Sequence, residues 1–195
     1  MAQDSDRLGM RLCRRQAVHG AALALSPFLR ISARAEDQPD ETEKPPQTGD
    51  HLVFLTGPRK GQPARVEDLE LGGPQLQAYP ADPKGLVRDG SPLNLVLLVR
   101  VGDDGLDEQT RKLSADGVAA YSAICTHQAC PVNQWSSEKK AMVCSCHGST
   151  YDPKNSAKVI FGPAPQALAG LPLKSENGVL IVAGGFDASV GRQTN

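Results

Sequence analysis

Four of the chain's five cysteines and two of its four histidines fall between Cys125 and Tyr151. The stretch opens with Cys125-Thr126-His127-Gln128-Ala129-Cys130 and closes with Cys144-Ser145-Cys146-His147-Gly148-Ser149-Thr150-Tyr151. Thiolates and imidazoles are the side chains that hold iron or zinc. A Cys-x-His loop and a Cys-x-x-His loop, with sixteen residues between them, can bring four such groups together. Two ligand loops need a frame of fixed spacing. Scarce aromatics (4%), 19 glycines and 15 prolines fit short strands joined by many turns better than a helical bundle. A length of 195 residues allows one domain with a real core, plus tails.

Residues 1–35 carry six basic and two acidic side chains, leaving fifteen basic and twenty acidic beyond them. An acidic body gives no reason to expect nucleic-acid binding. Arg7, Arg11, Arg14 and Arg15 precede an apolar run from Ala17 to Leu29, and Ala33-Arg34-Ala35 follows. That layout predicts a signal peptide over 1–35, of twin-arginine type at Arg14-Arg15, and a periplasmic protein. The apolar run has thirteen residues, short of the ~20 a spanning helix needs, so there is no clear transmembrane helix, although membrane association stays open. Residues 36–50 hold seven charges, three prolines and no large apolar side chain, which predicts a flexible arm.

Residues 51–195 form the expected domain. Strands are predicted at 51–56, 93–101, 118–124, 142–143, 158–161, 171–174 and 178–182, with 72–92 and 102–116 as loops. The fold class is all-β, a small antiparallel sandwich or barrel.

Three metal readings compete on the residues alone. Structural zinc accepts two cysteines and two histidines. A mononuclear catalytic ion is the weaker reading, because four protein ligands leave it no open position. The third is a 2Fe–2S cluster with Cys125 and Cys144 on one iron and His127 and His147 on the other. In each case Cys130 and Cys146 are left over, one per loop. Loss of Cys13 with the signal would leave these two free to pair as a disulfide in an oxidising compartment.

The two loops closely resemble the cluster-binding motifs of the Rieske 2Fe–2S family. The resemblance covers about 118–182 and implies a Rieske-type β-sandwich or barrel with a small cluster-binding subdomain at about 122–166. It implies that Gly148, Ser149 and Tyr151 surround the ligands, with Ser149 donating to a bridging sulfide and Tyr151 to the Cys125 sulfur. Gly162-Pro163-Ala164-Pro165 is similar to the proline loop that covers the cluster. Charge counting then predicts a high potential. Two ferric ions, two sulfides and two thiolates sum to zero, so an electron enters more easily than in an all-thiolate cluster. Hydroxyl donors from Ser149 and Tyr151 push the same way.

The resemblance implies an electron-transfer subunit of an oxidoreductase complex rather than a catalyst alone. Its expected partners are a larger redox subunit, either a molybdenum enzyme or a cytochrome b, and a cytochrome c-type acceptor. Ser122-Ala123-Ile124-Cys125-Thr126-His127, Pro131 after Cys130 and the ending Gly191-Arg192-Gln193-Thr194-Asn195 resemble the small subunit of arsenite oxidase, which is the preferred expectation. The alternative is the iron–sulfur subunit of a quinol–cytochrome c oxidoreductase, which Gly148 to Tyr151 and the proline loop also resemble. Gln128-Ala129 departs from the Leu-Gly usual there in quinol-oxidising members. A stand-alone ferredoxin and a zinc-stabilised binding domain complete the alternatives.

Overall fold

The structure, a computed structural model, describes residues 40–192. The expected signal over 1–35, Cys13 within it, residues 36–39 and residues 193–195 lie outside that range.

Ten strands form two antiparallel sheets. The larger contains β1 (His51–Phe54), β2 (Leu76–Ala81), β3 (Val96–Arg100), β4 (Val118–Ser122), β9 (Leu173–Glu176) and β10 (Val179–Val182). Its order is β4-β3-β2-β1-β10-β9, so the last hairpin returns to pair with the first strand. The smaller sheet is inserted between β4 and β9. It contains β5 (Val132–Ser136), β6 (Ala141–Cys144), β7 (Thr150–Asp152) and β8 (Lys158–Phe161) in chain order. The antiparallel all-β expectation therefore describes these residues, which among them hold one short α-helix, α1 (Glu108–Leu113), and two single-turn 3-10 segments.

β3 explains why the two sheets hold together. Side chains alternate faces along a strand, and this strand is apolar on both. Leu97 and Val99 enter a core shared with Tyr121, Met142 and Tyr151, which joins the large sheet to the small one. Val96 and Leu98 enter a second core with Leu52, Leu171 and Leu180. Each such buried aliphatic side chain stabilises the fold by about 1.5–3 kcal/mol.

Three stretches differ from the expectations. The predicted loop 72–92 contains β2. Pro80 hides the strand in the sequence, and it is tolerated because the ladder to β3 ends at Ala78, leaving Pro80 paired to β1 through Leu52. The predicted loop 102–116 contains α1, whose N-cap Asp107 accepts a hydrogen bond from the Thr110 N–H (2.7 Å). With six residues, it is too short to show a periodic apolar face.

The predicted flexible arm is also corrected, over 40–50. Asp50 and Arg88 form a buried ion pair (2.6 Å), and Arg88 also donates to the Glu41 carbonyl. The Asn94 amide donates to the Lys44 carbonyl (2.7 Å), and Gly49 and Asp50 bond to Val182. Polar anchors on the domain thus capture backbone carbonyls of the arm, an effect that a count of its apolar side chains misses. The hydrogen bond to Asp50 raises the Arg88 pKa against the opposing effect of burial. Stranding either charge of a buried pair costs about 3–5 kcal/mol.

Small-sheet position is fixed from α1 and β4. The Tyr121 hydroxyl donates to the Pro153 carbonyl (2.8 Å) in the β7–β8 turn. Asp107 N–H donates to the Lys154 carbonyl, and Ser156 N–H to the Thr110 hydroxyl.

Candidate metal centre

Three loops meet at the end of the small sheet: one between β4 and β5, one between β6 and β7, and one after β8. The first two share a single backbone design. In the first, Ala129 N–H donates to the Cys125 carbonyl (3.0 Å), and Cys125 N–H donates to the Cys130 carbonyl (2.8 Å). In the second, Gly148 N–H donates to the Cys144 carbonyl (3.0 Å), and Cys144 N–H to the Ser149 carbonyl (2.8 Å). Both turns place their fifth residue in the left-handed region, Ala129 at φ +55° and Gly148 at φ +71°.

Each pair of loops is tied directly. The first and second are joined by the Cys130–Cys146 disulfide, with Cα atoms 6.4 Å apart. Thr126 in the first donates its hydroxyl to the Gln166 carbonyl in the third (2.7 Å). In the second, the Ser149 oxygen accepts from Ala164 N–H in the third (3.1 Å). Gly162 makes that last approach feasible, because a Cβ there would stand 2.6 Å from the Ser149 Cα.

Within this enclosure, Cys125 and Cys144 are buried and outside any disulfide. Cys144 Sγ lies within 4.8 Å of both disulfide sulfurs. The Tyr151 hydroxyl lies 3.1 Å from Cys125 Sγ, and only the hydroxyl can donate once the thiol has lost its proton. Burial alone would raise the Cys125 pKa. Tyr151, the His127 N–H, Cys144 and Ser149 outweigh it, so the pKa is lowered. Cys144 is raised, by burial and by Cys125 beside it, against the N–H groups of Cys146 and His147.

The two imidazoles lie side by side, their centroids 4.8 Å apart and their planes at 84°. Half-buried His127 points Nδ1 inward, where it finds no hydrogen-bond partner, while His147 is exposed. Buried polar nitrogens are rarely left unpaired, and an orphan in the same pair of loops as two buried free thiols is the arrangement a bound metal completes. The structure thus brings Cys125, His127, Cys144, His147, Cys130, Cys146, Gly148, Ser149, Tyr151 and the loop Gly162, Pro163, Ala164, Pro165 to one place. Thr126, which ties two loops, and Ala129, in a strained conformation, are contributions the sequence reading missed. A spacing pattern carries no signal for either.

The fold and the site define a domain with histidine and cysteine donors for a metal centre at the edge of a β-scaffold. Residues 77–172 match the family model described as the Rieske [2Fe-2S] domain. The Rieske iron–sulfur subunit of the cytochrome bc1 complex of Streptomyces lividans is 31% identical over 146 residues, covering 71% of this chain and 84% of that protein. The corresponding Streptomyces coelicolor subunit is also 31% identical, but this chain covers only 40% of its length. A Haloferax mediterranei protein assigned as a Rieske subunit of a respiratory nitrate reductase is 33% identical over 134 residues, with coverage of 67% and 58%. Among solved structures, the plasma membrane Rieske protein of Synechocystis is similar at 24% identity and TM-score 0.42, covering 60% of this chain and 93% of that one. The chain belongs to the Rieske [2Fe-2S] family. It is an iron–sulfur electron-transfer protein, and membership implies a 2Fe–2S cluster bound by cysteine and histidine, which the donors described above fit.

Proposed function

We propose that Cys125 and Cys144 hold one iron of the cluster and His127 and His147 the other, and that the chain is the iron–sulfur subunit of a quinol–cytochrome c oxidoreductase. The observation that carries the ligand assignment is the buried, unpartnered Nδ1 of His127 in the same pair of loops as the buried free thiols of Cys125 and Cys144. When bound, the cluster supplies reversible one-electron chemistry. The Tyr151 hydroxyl, held against Cys125, and the Ser149 hydroxyl favour the more negative reduced state and a high potential. Ser149 can donate its own hydrogen because its oxygen is the partner of Ala164 N–H. The proline loop and the disulfide keep water from the thiolate side, while the exposed His147 leaves the other side open for electron exchange.

Relatives named as cytochrome bc1 subunits favour the quinol–cytochrome c reading over the small subunit of an arsenite-oxidase-like molybdenum enzyme. The Haloferax relative favours a second reading, a relay subunit of another large oxidoreductase, and Gln128 in place of an apolar residue is consistent with it. Export to the periplasm is part of the proposal. A disulfide is stable in an oxidising compartment, and residues 1–35 have the composition of a signal.

The ligand assignment is tested by counting iron and acid-labile sulfide in anaerobically purified protein and recording the paramagnetic signal of the reduced state. Two irons with mixed nitrogen and sulfur ligation are expected, and a single bound zinc would overturn the reading. For the partner, native separation of membranes should show the chain migrating with a b-type cytochrome. Migration with a large molybdenum subunit would favour the relay reading instead.

A further inference from the structure

A cavity of about 390 Å³ opens beside the metal centre, between the first ligand loop and the proline loop. Thr126, His127, Gln128, Pro163, Gln166 and Arg192 contribute to its walls, and Arg192 is its one charged lining residue. Arg192 makes no ion pair among the described residues. No carboxylate lines the cavity, although the domain as a whole is acidic.

The arginine is delivered there by the folded chain. After β10, Asp187 accepts a hydrogen bond from Gly170 N–H (2.6 Å), which holds the returning segment against the large sheet. Four residues on, Gly191 is buried at φ +76°, and a Cβ there would meet Ile124 Cγ2 at 3.1 Å. Ile124 immediately precedes Cys125, so this close approach sets Arg192 beside the first ligand loop. In sequence just before the proline loop, Ile160 is 49% and Phe161 61% exposed, and the Lys139 ammonium lies 5.0 Å from the Phe161 ring centroid. One guanidinium, neutral amides and prolines line the groove, and arginine is enriched at protein interfaces.

We propose that this groove seats the electron-exchange partner and that Arg192 recognises a carboxylate on that partner's surface, close to the His127 edge. The proposal rests on the electron-transfer reading above. A planar guanidinium can grip a carboxylate through two parallel hydrogen bonds, which fixes orientation as well as proximity. The net charge of the body disfavours a carboxylate, and Arg192 is the charge that the groove itself offers one.

Small oxidants of opposite charge read the local charge directly. The reduced protein is mixed with ferricyanide, an anion, or tris(phenanthroline)cobalt(III), a cation; each takes one electron from the cluster. Relative to the unchanged protein, R192E should slow ferricyanide and speed the cobalt complex, each by about threefold to tenfold at low salt, with the difference fading at high salt. K112E, on α1 outside the groove, carries the same charge change and should alter both rates far less. Equal effects from the two substitutions, or none from R192E, would overturn the electrostatic part.

A second arm needs no electron to move. R192K keeps the charge and introduces an amine that a carbodiimide can couple to a carboxylate within contact distance. In the assembled complex, a cross-link from position 192 to an aspartate or glutamate of the partner subunit supports the proposal. A complex that retains the chain but yields no such cross-link overturns it. Protein lacking the cluster signal fails the electron-transfer reading instead, and the cross-linking result still stands by itself.

Discussion

Ser149 and Gly162 approach so closely that a methyl group has no room between them: a Cβ on Gly162 would lie 2.6 Å from the Ser149 Cα and 2.9 Å from its nitrogen. The contact sets the proline loop over the ligand loops, and only glycine allows it. Gly162→Ala should therefore push that loop outward, beyond the cost of its φ of +94°. Gly148→Ala is the control, since its φ is +71° but no atom lies within 4 Å of the added Cβ. Thermal unfolding and the rate of cluster loss should show Gly148→Ala costing about 1–2 kcal/mol and Gly162→Ala clearly more. Equal effects would mean the close approach does not constrain the loop.

Ala129 occupies the position in the first loop that Gly148 occupies in the second, with a similar left-handed backbone. An L-residue there carries about 1–2 kcal/mol of strain, while glycine gives back up to ~1 kcal/mol through its freer unfolded chain. Ala129→Gly should leave stability unchanged or raise it by up to ~1 kcal/mol. Urea denaturation followed by circular dichroism measures the change, and a clear loss of stability would count against the strain.

Tyr151→Phe removes the hydroxyl 3.1 Å from Cys125 Sγ and keeps the buried ring. The potential should fall by tens of millivolts, and the metal-free protein should show a higher pKa for Cys125 in alkylation against pH. Direct electrochemistry gives the first quantity. An unchanged potential would remove Tyr151 from the tuning of the centre.

Acid stability should depend on Asp68 and Asp107. Asp68 accepts from the Arg59 guanidinium (2.7 Å) and from Arg65 N–H, and its pKa is lowered, chiefly through Arg59. At Asp107 burial pushes upward, but hydrogen bonds from Ser156 and Thr110 win and lower the pKa. A carboxylate with a lowered folded-state pKa contributes stability that is fully present above its unfolded value of about 4 and is lost as pH falls through the folded value. Unfolding midpoints should therefore drop below about pH 4, and Asp68→Asn should flatten that slope. An identical slope in the variant would exclude Asp68 as a contributor.

The disulfide closes a loop with a sequence separation of 16. Chain-entropy reasoning makes its loss worth about 3 kcal/mol. Replacing Cys130 and Cys146 together by serine should shorten the lifetime of the bound cluster while leaving the proposed donors Cys125, His127, Cys144 and His147 in place. Absorbance decay of the coloured protein follows this, and an unchanged lifetime would make the bridge idle.

The gathering of candidate donors was legible because thiols and imidazoles at fixed spacing have few other uses, and the leftover pair Cys130 and Cys146 is bridged in the structure. The antiparallel frame was legible from short apolar runs such as Leu97 to Val99, whose burial needs two covered faces. What stayed hidden is held by polar contacts distant in sequence. Residues 40–50 contain no apolar run, yet Arg88 and Asn94 secure their carbonyls. β2 was masked by Pro80, whose missing N–H matters only if a neighbour needs it, and the β3 ladder has already ended there. The place of Arg192 depends on a backbone contact between Gly191 and Ile124 that no local pattern encodes.

The disulfide, the Thr126–Gln166 bond and the Ser149–Ala164 bond form a triangulated brace. Such a frame shares load among its struts: cutting a single one leaves a hinge, and the other two then carry the whole enclosure. A lesion in any one of the three loops should therefore loosen all of them together, as one cooperative unit.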